Sequence, residues 1–143
     1  MGRILSIDYG RKRVGLAVTD PNQMIANGLD TVGAHETIEY LKNYFSREVV
    51  DLVVIGYPKQ MNNTPSEAVP YVNDFISHFK KHFPGMNYYL MDERFTSKMA
   101  AQAMIDGGLK KKKRQDKALL NKVSATILLQ SYLEMKDKNS NFK

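Results

Sequence analysis

Three short stretches of this 143-residue chain carry the residue types that phosphate chemistry uses. Asp8 closes an apolar run and is followed by Gly10. Asp92-Glu93-Arg94 follows another apolar run and precedes Thr96. Lys110, Lys111, Lys112, Lys113 and Arg114 form an unbroken run of cations. A carboxylate on rigid backbone can hold a hard cation. An arginine can fork onto a phosphate oxygen and offset the charge that builds there during reaction. A like-charge run cannot pack against a core, but it can gain order along a phosphate backbone. Arg11-Lys12-Arg13 adds to the same basic character. Gly56 ends a further apolar run and would let a phosphate or another backbone come close.

Each feature also has a plainer reading. Asp8 can cap the Tyr9-Gly10 turn, Gly56 can be turn chemistry, and Asp92 with Arg94 can be an exposed pair. The lysines can be a solvated loop. Chemistry is favoured because Asp8 and Asp92-Glu93-Arg94 are expected at one edge of one sheet. Ligands of open α/β sheets gather at that edge.

The elements that must position these residues follow from periodicity. Arg3–Asp8 and Arg13–Thr19 read as strands joined by the Tyr9–Lys12 turn. A third strand is expected within Ile25–Val32, after the Asp20-Pro21-Asn22 turn, completing an antiparallel meander. Ile38, Leu41 and Phe45 mark one face of a helix over Glu36–Phe45. Asp51–Gly56 is a continuous apolar run, suited to a strand buried on both faces. Tyr57–Pro65 reads as a loop. Ser66–Phe83 reads as a long helix that tolerates Pro70 near its first turn. Tyr88–Met91 is a short strand. Thr96 would cap a helix over Ser97–Asp106, ended by Gly107-Gly108.

The last helix is expected over Asp116–Met135, with Lys136–Lys143 frayed. Asn121, Ser124, Ala125, Leu128, Tyr132 and Met135 fall on one stripe of it, so a polar Asn121 shares the face meant for the sheet. Asp116 lies about 140° away around the helix and reads as its cap. The order β-β-β-α-β-α-β-α-α predicts an α/β fold. Its mixed five-stranded sheet has three antiparallel strands, then parallel crossovers, with helices on both faces. One domain is expected over residues 1–136, with 137–143 a flexible tail.

Composition narrows the function. The chain has no cysteine, which excludes disulfides, thiolate zinc sites and cysteine nucleophiles. Its three histidines, His35, His78 and His82, argue against a histidine-rich metal site. No apolar run reaches the ~18 residues of a membrane span. The first residues read as a strand and not as a signal peptide, so the cytoplasm is the expected compartment. The net charge is +6 and is unevenly placed. Residues 1–93 carry nine Lys/Arg against eleven Asp/Glu, whereas residues 94–143 carry twelve against four. The basic end fits a large polyanion, with nucleic acid the foremost choice.

Taken in order, the motifs resemble those of the YqgF family of pre-16S rRNA nucleases and Holliday junction resolvase-like proteins. They are Ser6-Ile7-Asp8-Tyr9-Gly10-Arg11-Lys12-Arg13-Val14-Gly15 continuing to Asp20, Val54-Ile55-Gly56-Tyr57-Pro58, Asp92-Glu93-Arg94-Phe95-Thr96-Ser97, and Ser124-Ala125-Thr126 continuing to Leu133. The resemblance spans about Arg3 to Leu133. It implies an RNase H-like fold and a nuclease that uses Mg²⁺ or Mn²⁺ to hydrolyse phosphodiesters. Asp8 and Glu93 match two of the family's acidic positions. The third position, eleven residues before Tyr132, is Asn121 here. An amide oxygen can coordinate Mg²⁺ but brings no charge, so weakened or Mn²⁺-dependent activity is expected.

The expected site is therefore Asp8, Glu93 and Asn121 as metal ligands, with Arg94 on the phosphate. Arg11, Lys12, Arg13, Gly56 and Lys110–Arg114 would hold the strand. Asp20, Thr96 and Lys12 would support them. Pre-rRNA and branched DNA both remain as partners; a symmetric junction favours a homodimer, and strand trimming does not. Nothing in the sequence reads bases, so selectivity would come from shape. Two other classes compete. A binding module that lost its chemistry through Asn121 would bind RNA without cleaving it. Half of an actin-like phosphotransferase is disfavoured, because such enzymes enclose a nucleotide between two such domains.

Overall fold

A computed structural model describes residues 2–58, 69–92 and 117–141. Strand β1 (Arg3–Tyr9) pairs antiparallel with β2 (Arg13–Thr19), which pairs antiparallel with β3 (Ala26–Gly33). A 3-10 turn (Ala34–Glu36) leads into helix α1 (Thr37–Arg47). Strand β4 (Val50–Tyr57) returns parallel to β1. Helix α2 (Val69–His82) then precedes β5 (Tyr88–Asp92), which is parallel to β4. The long helix α3 (Lys117–Asn141) follows. The sheet order is β3-β2-β1-β4-β5, which is the mixed five-stranded sheet expected.

Alternation within the strands builds two cores. On one face, Leu5, Ile7, Val14, Leu16, Val53 and Ile55 meet Leu41 and Tyr44 of α1 and Val72, Phe75, Ile76 and Phe79 of α2. A run of rings threads this core: Phe75 to Phe79 at 6.1 Å, Phe79 to Phe83 at 5.2 Å, and Phe83 to Phe45 at 5.0 Å between centroids. On the other face, Ile4, Ala17 and Val54 meet Ala125, Leu128, Leu129 and Leu133 of α3. Helices thus cover both faces.

Several boundaries differ from those the sequence predicts. α1 starts at Thr37, after the 3-10 turn, and its Thr37 hydroxyl donates to the Gly33 carbonyl at 3.1 Å. β4 extends through Tyr57, which had been assigned to the loop, because Tyr57 pairs with Asp92. α3 runs to Asn141, past the expected end at Met135. The stripe on α3 is also wider than predicted: Leu129 and Leu133 are buried beside Ser124, Ala125 and Leu128. A single helix covering a sheet face needs a broader apolar band than one heptad seam supplies. The expected helix over Ser97–Asp106, its Thr96 cap and the Lys110–Gln115 loop lie outside the described residues.

Candidate functional site

β1 carries Asp8 to the carboxyl edge of the sheet. Ile4 packs against α3, and the buried Ser6 hydroxyl donates to the Ala125 carbonyl at 2.7 Å. Leu5 and Ile7 belong to the opposite core. Period two therefore places Asp8 on the α3 face, in line with Ile4 and Ser6. Across the sheet Asp8 pairs with Gly15, and Gly15 pairs with Thr31. The Thr31 hydroxyl donates to the Ala118 carbonyl at 2.5 Å, fixing the first turn of α3 over this row.

Gly15 decides how closely the helix approaches. A Cβ added there would overlap the Asn121 backbone carbonyl. The strand and the helix backbone thus meet with no side chain between them. That contact puts Asn121 over the residue paired with Asp8, and both are half-buried. On the other side, the Ile7–Ile55 pairing sets Asp8 beside Gly56, and Gly56 pairs with Met91. Asp8 is therefore flanked in the sheet by two glycines, Gly15 and Gly56. At Gly15 the missing side chain leaves this space to the helix.

The remaining expected residues separate into groups. Arg11 and Lys12 are exposed in the turn after β1 and Arg13 at the start of β2, at the same carboxyl edge as Asp8. Asp92 ends β5 opposite Tyr57, and alternation from Met91 turns it away from the Asp8 face. Glu93, Arg94, Thr96, Asp116 and Lys110–Arg114 lie outside the described residues. Asp20 is a correction. It follows β2 at the opposite edge, where Arg3 Nη1 donates to the Thr19 carbonyl at 2.9 Å. Its carboxylate accepts the backbone N–H groups of Ile25, Met24 and Asn22. These bonds, the one from Ile25 foremost, hold its pKa below the usual carboxylate value. Asp20 therefore organises the β2–β3 connection and does not support the site.

Among the described residues no group of three His, Cys, Asp or Glu side chains gathers to hold a metal. Of the three expected ligands, Asp8 and Asn121 lie among the described residues, Asp8 in the strand row that the Asn121 backbone covers at Gly15. The residue that sequence reasoning passed over is Gly15, which received no role. Its signal was present: a glycine inside an otherwise apolar strand marks close approach of another backbone.

A family profile described as "RuvX: Holliday junction resolvase" matches residues 2–135. A Flavobacterium johnsoniae protein named "Putative pre-16S rRNA nuclease" is 57% identical over 136 residues, covering 95% of this chain and 99% of that one. One of the same name from Parabacteroides distasonis is 58% identical over 136 residues, covering 95% and 97%. Among solved structures, Thermus thermophilus RuvC superposes with a TM-score of 0.54 at 17% identity, covering 94% of this chain and 96% of that one. RuvC from T. thermophilus in complex with a Holliday junction substrate gives 0.52 at 16% identity, covering 93% and 96%. At such identities these two establish the RNase H-like fold alone. The resemblance carried by the motifs is borne out: this chain belongs to the RuvX family of Holliday junction resolvases.

Proposed function

We propose that this chain is a metal-dependent nuclease that trims the 5′ end of precursor 16S rRNA in the cytoplasm. The observation that carries the reading is the contact between Gly15 and the Asn121 backbone, which brings the third family position over the strand row of Asp8. Names of relatives more than half identical over nearly the whole chain supply the substrate.

Asp8, Glu93 and Asn121 would hold Mg²⁺ or Mn²⁺. When bound, the ion would polarise the scissile phosphate and lower the pKa of a bound water. Asp8 follows a run buried from Ile4 to Ile7, so its backbone is fixed before substrate arrives. Arg94 and backbone amides near Gly10 would neutralise phosphate charge. Gly56 leaves room for the sugar-phosphate backbone beside Asp8. Arg11, Lys12, Arg13 and Lys110–Arg114 would hold the strand through its phosphates. Asn121 would contribute an oxygen without charge, so the metal would rely on two carboxylates where the family's usual pattern offers three.

A second reading has its own support. The family description and the junction-bound RuvC fold favour branched DNA as substrate. One experiment separates the readings. Labelled RNA with a precursor 5′ extension and a four-way DNA junction are each incubated with Mn²⁺, Mg²⁺ or EDTA. Mn²⁺-dependent cleavage of the RNA is expected, and it should vanish in Asp8→Ala. Asn121→Asp should cleave faster, with the gain larger in Mg²⁺. Cleavage of the junction alone would move the substrate to DNA. RNA bound but never cleaved, with cleavage restored by Asn121→Asp, would make the native chain a binding module.

A further inference from the structure

The carboxyl edge of the sheet bears a second set of side chains, on the face away from α3. Tyr9 alternates to that face and stacks on Phe75 of α2, with centroids 4.6 Å apart and planes 21° from parallel. Tyr57, at the end of β4, donates its hydroxyl to Asn73 Oδ1 at 3.0 Å. Tyr71, in the first turn of α2, keeps 40% of its surface in solvent. The Arg11 guanidinium carbon lies 5.4 Å from the Tyr71 ring centroid. Arg11 and Lys12 are exposed in the turn between β1 and β2, and Arg13 is exposed at the start of β2.

Tyr9 and Tyr57 pack against the core, whereas Tyr71 is exposed and is not among the residues packed there. A tyrosine at the core-facing edge of a helix is usually buried by its neighbours, but here a cation is set over it. Arginine and tyrosine both present planar faces on which a nucleobase can stack, and stacking is tolerant of base identity. Phosphates of a strand crossing here would meet Arg11, Lys12 and Arg13. Asp92 ends β5 on this same face, and Asp74 of α2 raises the Tyr9 pKa after burial has done so. Asp74 disfavours a phosphate near Tyr9 and directs the charged backbone to the Arg11 side, leaving a base for the rings. A duplex keeps its bases stacked on each other and has none to offer.

We infer that Tyr71 and Arg11 form a stacking subsite for an unpaired base of the strand being cleaved, so that the chain takes single-stranded nucleic acid at this edge. The inference rests on the nucleolytic reading above for the placement of the strand, but it is tested by binding alone. Fluorescence anisotropy in EDTA measures the affinity of the wild-type full chain for a labelled single-stranded RNA and for a duplex of the same sequence. Tyr71→Ala should weaken single-strand binding about 5- to 100-fold, while Tyr71→Phe stays within about twofold of wild type. Duplex binding should not change. A scan of abasic positions along the strand should find one where wild type binds as weakly as Tyr71→Ala binds the intact strand.

Equal losses on single strand and duplex would overturn the inference, as would unchanged single-strand affinity in Tyr71→Ala or an abasic scan without a sensitive position. Tyr71→Phe falling with Tyr71→Ala, both with lowered melting temperature, would assign the ring to packing and overturn it too. Failure of the nuclease reading looks different: stacking-dependent binding intact and no cleavage with any metal.

Discussion

The two faces of the sheet are built on opposite principles. The face under α1 and α2 is filled with large side chains, and its rings run from Tyr9 through Phe75 and Phe79 to Phe83. The face under α3 is small where it matters: Ser6, Gly15 and Ala17 on the strands meet Ser124 and Ala125 on the helix. Large residues hold a helix about 10 Å from its sheet, and the polar groups of the two elements then stay apart. Small residues let the helix backbone settle onto the strands, and the Asn121 backbone then lies against Gly15, the partner of Asp8. One face stabilises the domain. The other gives up apolar volume to bring the α3 backbone onto the strands beside Asp8.

Removing the largest fully buried side chain of the aromatic face should have the biggest effect on stability. Phe79 is fully buried, and Phe79→Ala should cost about 3–5 kcal/mol in a urea titration. Cleavage per folded molecule should remain close to wild type, because Phe79 belongs to the core on the sheet face opposite Asp8. An equal loss of activity per folded molecule would break the comparison. Gly15→Ala tests the other face. The added methyl overlaps backbone, so α3 or β2 must shift, at about 1–3 kcal/mol. Its activity should fall far more than that stability change explains, because Asn121 moves away from Asp8. A fully active Gly15→Ala would show that the close approach is not what builds the site. Ser6→Ala removes the buried hydroxyl that ties β1 to the Ala125 carbonyl, a smaller change of about 1 kcal/mol. It should leave cleavage intact, sharpening the assignment of activity to Gly15 and not to helix docking in general.

How far these two faces could be read in advance differs. The aromatic face was legible, because apolar runs such as Asp51–Gly56 and the spacing of Ile38, Leu41 and Phe45 record burial directly in residue type. β2 was placed at its observed ends, since Arg13 and Thr19 sit against turn residues on both sides. The α3 face was legible in part. Asn121 stood out as a polar group on an apolar stripe, but Leu129 and Leu133 did not, because packing on one broad sheet widens the buried band. Asp20 misled for a physical reason. An acid after a strand looks alike at either edge of a sheet, and only the antiparallel direction of β2 sends it to the wrong one. Tyr71 carried no signal, because an aromatic residue at helical spacing reads as core until its neighbours fail to cover it.

The smallest effect belongs to Asp20, at the sheet edge opposite Asp8. Its carboxylate accepts N–H groups from Ile25, Met24 and Asn22, which favours the charged form, so its folded pKa lies below its unfolded one. A depressed carboxyl contributes stability that is present above its unfolded pKa and is lost as pH falls through the folded value. Asp20→Asn should therefore be less stable than wild type at neutral pH. The gap should narrow as the solution is acidified through the carboxylate range. Asp20 is only half-buried, so the change should be small and further reduced by salt. Thermal melts of both proteins from neutral to acidic pH would follow the gap. Cleavage at neutral pH should not change, since Asp20 lies across the sheet from Asp8. Lost activity in a stable Asp20→Asn would tie the two edges together, through Gln23, whose side-chain amide donates to the Gly2 carbonyl at 2.6 Å while Lys136 of α3 donates to its oxygen at 2.9 Å.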